Sequence, residues 1–321
     1  MINIAILGTG KIIPEAVYAI QQSNKFNVAA IWARPHSKDK AEALSKKFNI
    51  PKIFTDYDEL LKDSEIEFVY VGLVNSVHYE YTKKALLAGK NVILEKPFTP
   101  KLAEAEELIK IATDKNLFLF EAVTLLHCPN FHKIQELIKK IGDVKLIQCN
   151  YSQYSSRYDA YKEGSVAPAF DPNCYGGALY DINIYNVNFV IGLFGEPESV
   201  NYFANIGFNG VDTSGLFVMK YKNFVAHCVG AKDSSSTNFI MIQGDNGFIK
   251  VNGDPNQLNN LEIHIRGQEV ESMNLNKFEH RMVHEFIEFA EIFERKDIKQ
   301  MTAGLDISKI VVKSVEKAIQ K

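Results

Sequence analysis

The chain has 321 residues, 46% of them hydrophobic, and a formal net charge of -3 from 36 basic and 39 acidic residues. That length exceeds one ordinary hydrophobic core, so two domains are expected. Charges of both signs are spread along the sequence, which excludes a basic face for nucleic acid and an acidic tail and leaves small molecules as the expected partners.

The sequence enters at once into Ile2-Asn3-Ile4-Ala5-Ile6-Leu7, without the basic start and cleavage site of a signal peptide. No apolar run approaches the roughly 20 residues that span a bilayer. A soluble, cytoplasmic protein without membrane contact is expected. Cys128, Cys149, Cys174 and Cys228 lie far apart with no CxxC or Cys/His spacing. They read as ordinary buried or half-buried thiols, with neither a disulfide framework nor a bound metal expected.

From residue 1 to 122, short apolar runs alternate with longer helical patterns, the signature of βαβ units and a doubly wound parallel sheet. Strands are predicted at 2–7, 28–33, 68–73, 91–94 and 118–120, and helices at 14–23, 37–48, 57–62, 77–88 and 101–114. From 123 onward the rhythm changes to a helix at 131–141 followed by β-rich segments at 144–152, 199–204, 215–221, 224–231, 238–243, 247–251 and 262–265. Hairpins and a mostly antiparallel sheet follow from that pattern. Helices return at 279–295 and 304–317. The expected class is therefore α/β: a Rossmann domain over 1–122, then an α+β domain over 123–321 whose final helices could pack back on the first.

Gly8-Thr9-Gly10-Lys11-Ile12 stands between the first strand and the first helix, where glycines let backbone N–H groups approach a pyrophosphate at a helix N-terminus. Ordinary turns also contain Gly-x-Gly, and Ile13 occupies a position that is usually small, which suggests looser helix packing or a shifted register. No acidic residue ends the second strand. Ala33-Arg34-Pro35-His36-Ser37-Lys38 stands there instead and offers Arg34, Ser37 and Lys38 to a ribose 2′-phosphate, favouring NADP over NAD. Arg34 could equally be a solvated loop residue or stack on adenine.

Glu95-Lys96-Pro97 follows the strand 91–94, at the carboxyl edge where ligands of doubly wound sheets bind. A lysine there can hydrogen-bond a reacting oxygen and take part in proton transfer. Glu95 could orient a nicotinamide ribose or balance charge. In isolation, a surface Lys-Glu pair would be the simpler interpretation.

Val74-Asn75-Ser76-Val77-His78, followed by Ala85-Leu86-Leu87-Ala88-Gly89-Lys90-Asn91-Val92-Ile93-Leu94-Glu95-Lys96-Pro97, closely resembles the glucose-fructose oxidoreductase and inositol dehydrogenase family, Gfo/Idh/MocA. The resemblance implies that Leu73, Asn75 and His78 lie against the cofactor and that Lys96 touches both nicotinamide and substrate. Gly176-Gly177-Ala178-Leu179-Tyr180-Asp181-Ile182-Asn183-Ile184-Tyr185 is similar to the helix that carries the family's acid/base residue. Asp181 and Tyr185, four apart, share a helix face, and by resemblance face Lys96 across the cleft.

Tyr185, the Phe170-Asp171-Pro172 lead-in and Phe120-Glu121-Ala122 resemble the dihydrodiol dehydrogenase and NADP-dependent xylose dehydrogenase branch, which uses tyrosine as acid/base. The alternative is a core tyrosine at helical spacing. Asn183 replaces a family glycine and would either add a polar group near the substrate or cap local packing. Asp171, with Arg157 and Tyr158, lies in a loop that could close over a polyol. His280 and His284 read as a solvated face, and Val283, Phe286, Ile287, Ala290 and Phe293 as a core stripe.

The resemblance covers nearly the whole chain, most closely at 66–97 and 168–190. It implies hydride transfer between nicotinamide and a sugar, polyol or diol, with Lys96 polarising, Tyr185 exchanging the proton and Asp181, Asp171 and Asn183 at the substrate. A homodimer or dimer of dimers through the second sheet is implied as well. An NAD(P)-binding regulator without net turnover, and a cofactor-retaining hydrolase or isomerase, are the alternatives.

Overall fold

A computed structural model describes residues 1–320. The chain divides into two units: residues 1–122 with 280–309, and residues 123–279 with the chain from Ile310 onward. The segment 280–309, expected in the second domain, thus belongs to the first.

The first unit runs β1 (Ile2–Leu7), α1 (Ile12–Ser23), β2 (Phe26–Trp32), α2 (Lys38–Phe48), β3 (Lys52–Phe54), α3 (Tyr57–Lys62), β4 (Phe68–Val71), α4 (His78–Leu87), β5 (Asn91–Glu95), α5 (Leu102–Asp114) and β6 (Leu119–Ala122). Its six strands form one parallel sheet in the order β3-β2-β1-β4-β5-β6. Strands covered on both faces must be apolar on both, and β4 is buried at all four residues. The order reverses between β1 and β4, the switch point beside which doubly wound folds bind ligands.

The second unit contains α6 (Pro129–Leu137), β7 (Val144–Ser152), α7 (Tyr158–Lys162) and α8 (Ile184–Phe194), the last entered through a π-helical turn at Leu179–Asn183. Then come β8 (Ser199–Ile206), β9 (Asp212–Lys220), β10 (Val225–Ala231), β11 (Phe239–Gly244), β12 (Gly247–Asn252), β13 (Leu261–Ile265) and β14 (Glu271–Met273). Eight strands form a sheet ordered β14-β13-β12-β11-β7-β10-β9-β8, antiparallel except where β7 meets β10. Alternation along β7 and β10 buries Ile147, Cys149, Ala226 and Cys228 beneath α8 and turns Gln148 and His227 to the other face, where their side chains lie 3.0 Å apart.

The last helices are α9 (Val283–Glu294), packed on α1 in the first unit, and α10 (Ile298–Ile319). The sequence reading started α10 too late, at Gly304. Its start is set by Asp297, whose carboxylate accepts the backbone N–H of Gln300 at 3.0 Å. In α9 the buried side is wider than the predicted stripe, taking in His284, Glu285, Phe289 and Ile292, so the solvated reading of His284 is corrected. His280 is half-buried, with its ring edge-on to Tyr18. Three of the cysteines are buried, Cys174 is half-buried, and none is in a disulfide. Among the described residues no helix is long and apolar enough to cross a membrane.

Candidate active site

In the first unit, Gly8 takes φ +112°, and a Cβ there would stand 2.8 Å from the carbonyl oxygen of Gly72. Only glycine meets both demands. A Cβ on Gly10 would meet nothing within 4 Å, and α1 begins without any side-chain cap. The loop Gly8-Thr9-Gly10-Lys11-Ile12 therefore leads to the open N-terminus of a twelve-residue helix, which suits a pyrophosphate. Ile13 causes neither looseness nor a register shift: it is fully buried and fills the space beside Gly72, where an added Cβ would come 2.6 Å from its Cδ1.

At the carboxyl end of β2, Arg34 is exposed and its carbonyl accepts the N–H of Ser37 at 2.8 Å. Ser37 is half-buried, and the exposed Lys38 ammonium lies 3.6 Å from Glu42. These donors fit an anionic ribose substituent better than a bare diol. Trp32, two residues before Arg34, is buried with its ring 5.6 Å from that of Tyr57 and 5.2 Å from that of Tyr81.

After β4, Leu73 and Asn75 are half-buried, whereas the His78 side chain is fully buried. Its Nδ1 lies 2.9 Å from the carbonyl oxygen of Pro97 and its Nε2 3.1 Å from that of Leu73. Burial lowers its pKa while the two backbone carbonyls oppose that shift, and the ring stands between the two loops. The expected direct cofactor contact of His78 is thereby corrected: it braces Leu73 and the residue after Lys96.

Lys96 itself is half-buried, with Pro97, Phe98, Thr99 and Pro100 buried behind it. The role expected of Glu95 also changes. Its carboxylate turns into the unit and accepts the Tyr70 hydroxyl at 2.5 Å, and burial raises its pKa. It contributes to the field around Lys96 but does not face a ribose.

In the second unit, Gly176 and Gly177 open the Asp181 segment because nothing larger fits. A Cβ on Gly177 would stand 1.9 Å from an oxygen of Asp212, and one on Gly176 2.6 Å from the carbonyl of Pro168. The Asp212 carboxylate accepts the N–H of Leu179 at 2.7 Å and the hydroxyl of Tyr202 at 2.6 Å. The π-helical turn then carries Asp181, whose side chain is 38% exposed, and leads into α8 with Tyr185, which is 6% exposed and packs on the Tyr151 ring. Such turns recur at functional sites.

Two expected substrate residues are otherwise engaged. Asn183 is fully buried, its amide donating to the Cys228 carbonyl at 2.9 Å while its oxygen accepts from Asn186 at 2.9 Å. Its Cβ would lie 2.5 Å from one placed on Gly230, so a glycine on β10 admits it. It secures the helix to the sheet and does not face substrate. The Asp171 carboxylate accepts the backbone N–H of Asn173 at 2.9 Å and its amide at 3.1 Å, which makes it a turn cap.

Sequence reasoning missed Lys232, just past β10. Its ammonium is 2.7 Å from an oxygen of Asp181, and its side chain is 3% exposed. It also missed a buried acidic group in the first unit, where Glu285 on α9 has no hydrogen-bond partner for either oxygen and burial raises its pKa. Glu121 on β6 is shifted from 4.5 to about 7, chiefly by burial.

Residues 2–123 match the oxidoreductase family with an NAD-binding Rossmann fold, GFO_IDH_MocA, and residues 131–250 match the GFO/IDH/MocA C-terminal domain. The NADP(+) scyllo-inositol 2-dehydrogenase IolU of Bacillus subtilis is 30% identical over 99% of this chain and 96% of its own length. A trans-1,2-dihydrobenzene-1,2-diol dehydrogenase of Xenopus tropicalis is 34% identical over 78% of this chain and 74% of its own length. In three dimensions the chain resembles the 3-ketoreductase KijD10 of Actinomadura kijaniata, solved with NADP, at a TM-score of 0.82 and 21% identity, covering 97% of this chain and 95% of that one. At that identity the likeness speaks for the fold.

Proposed function

The chain belongs to the Gfo/Idh/MocA oxidoreductase family, and from that premise we propose that it moves a hydride between NADP and a carbinol or carbonyl carbon of a sugar, polyol or related diol. The observation that supports this best is the shared edge of the parallel sheet: Lys96 leaves β5 at the same carboxyl side on which Gly8 to Gly10 open α1. Bound there, the nicotinamide supplies or accepts the hydride.

The residues do the rest. Lys96 donates a hydrogen bond to the substrate oxygen and so favours charge developing on it. Tyr185 exchanges the proton at its phenol oxygen. Asp181 accepts from a substrate hydroxyl and orients it. Arg34, with Ser37 and Lys38, holds the 2′-phosphate.

Titrating NADPH and NADH against Trp32 fluorescence, then screening polyols with the tighter cofactor, tests this reading. NADPH is expected to bind more tightly, and Arg34→Ala to weaken NADPH more than NADH. Tighter NADH binding would remove the role of Arg34, and binding without net turnover on any polyol would return the regulator.

The open face of the eight-stranded sheet is proposed to bind a second copy of the chain in the cytoplasm. It carries half-buried Leu216, Val218, Val229 and Met241, with Phe203 64% exposed at its edge. Light scattering should return twice the mass of one chain, and a monomer at micromolar concentration would refute the assignment.

A further inference from the structure

Lys232 has no local signal in the sequence, yet its side chain joins three parts of the second unit. Its ammonium lies 2.7 Å from Asp181, donates to the Ala169 carbonyl at 2.5 Å and stands 4.2 Å above the Phe170 ring. Its backbone carbonyl accepts the N–H of Ser155 at 2.9 Å, and its own N–H donates to the Thr213 carbonyl at 2.8 Å. Ser155 and Ala169 belong to the stretch between β7 and the Gly176-Gly177 pair, which also holds Arg157, Tyr158 and Asp171. Phe170 anchors that stretch in a cluster with Tyr161 and Val211.

A cation this deeply buried is costly unless a charge and hydrogen bonds compensate it. Asp181 is the acidic group in direct contact, and its own side chain is still 38% exposed. One oxygen of the carboxylate, Oδ2, is held by the ammonium, while the Asp181 side chain as a whole stays accessible to a ligand.

We propose that Lys232 is a positioning residue that fixes the Asp181 carboxylate and the loop from Ser155 to Phe170 as one piece, so that hydroxyl acceptor and loop are presented to the substrate together. This rests on the role given to Asp181 above. It assigns Asp181 to accepting and orienting, because a carboxylate clamped to a buried ammonium is poorly suited to shuttle the reaction's proton, which stays with Tyr185. The other charged or titratable groups on the elements packed there are few. Asp212 on β9 exerts a charge interaction on Lys232 and is bonded to Tyr202 of β8. Asp233 accepts from the hydroxyls of Thr213 and Ser214. Tyr151 of β7 packs on Tyr185.

The test uses the full chain labelled with carboxyl-13C aspartate, the Asp181 signal being the one lost in Asp181→Asn. Removing the ammonium in Lys232→Met withdraws the charge that favours the carboxylate. The Asp181 titration midpoint should then rise by at least one pH unit, and the acid limb of kcat/KM should move up with it. Lys232→Arg should restore both.

If Lys232→Met does not fold, the coupling is read from the other side: in Asp181→Asn the Lys232 side-chain 15N signal should titrate at lower pH than in the parent. An unmoved Asp181 midpoint or acid limb, with only stability lost, would reduce Lys232 to a core residue and overturn the proposal. So would an unmoved Lys232 signal in Asp181→Asn. Lack of turnover in the parent would overturn the proposed function alone, since both titrations are read without substrate.

Discussion

Replacing Lys96 with alanine is expected to cut turnover by about 10² to 10⁴-fold while leaving NADPH affinity within a few-fold. The backbone here is held independently of the lysine side chain. The Pro97 carbonyl lies against the His78 ring, and Pro97 to Pro100 are buried. Truncation should therefore remove a donor to the reacting oxygen without shifting β5 or the Gly8 turn. Stopped-flow absorbance of the reduced nicotinamide under single-turnover conditions separates hydride transfer from product release. Transfer within tenfold of the parent would remove Lys96 from the chemistry, whereas an equal loss of cofactor affinity would make it a binding residue only.

A second large effect is expected in stability, from Glu121. Burial raises its carboxyl from 4.5 to about 7, with Glu95 nearby acting in the same direction and hydrogen bonds from Ser308 and the Phe98 backbone opposing. Below about pH 4.5 the group is protonated both folded and unfolded, and the folded state bears no penalty. Between about 4.5 and 7 the unfolded chain gives up its proton while the folded chain keeps it, so stability falls as pH rises. Above 7 the loss levels at about 3 kcal/mol.

Glu121→Gln keeps the shape and abolishes the titration. It should stabilise the first unit by about that amount at pH 8 and by little at pH 4. Hydrogen exchange of amides in β4 and β5 is the appropriate measurement, because two units need not unfold together. An equal effect at both pH values would refute the assignment. Glu95 and Glu285 are raised by burial as well, so part of the slope should survive in the variant.

The parallel sheet and most of the second sheet were legible because burial on one or both faces writes itself into apolar runs and alternation. β3 and β14 were not, having three residues each and, in β14, a polar sequence. The site was legible where a backbone demand leaves a residue type behind, as at Gly8, Gly176 and Gly177. It was illegible where a side chain's direction depends on a distant partner. Glu95 and Lys96 are neighbours in one motif, yet Glu95 turns inward because Tyr70, on the adjacent strand, offers it a hydroxyl. Lys232 is chemically an ordinary surface residue until the strand pairing sets it beside Asp181. His284 looked solvated because a helix buried over most of its circumference lacks the clear polar face on which periodicity depends.

The contact between Ile13 and Gly72 alters what the first motif tolerates. Position 13 is usually small, and one would be tempted to treat isoleucine there as a flaw to be mended. In this chain the bulk has been transferred: α1 supplies the side chain and the end of β4 gives up its own. Substituting alanine at 13 alone would open a void directly beneath the turn that is to hold the diphosphate, and adding a methyl at 72 alone would press on the Ile13 side chain and the Tyr70 ring. The two positions, 59 residues apart by their numbers in the sequence, are coupled by this close approach, so the dinucleotide loop inherits its tolerance to change from the residue that follows β4.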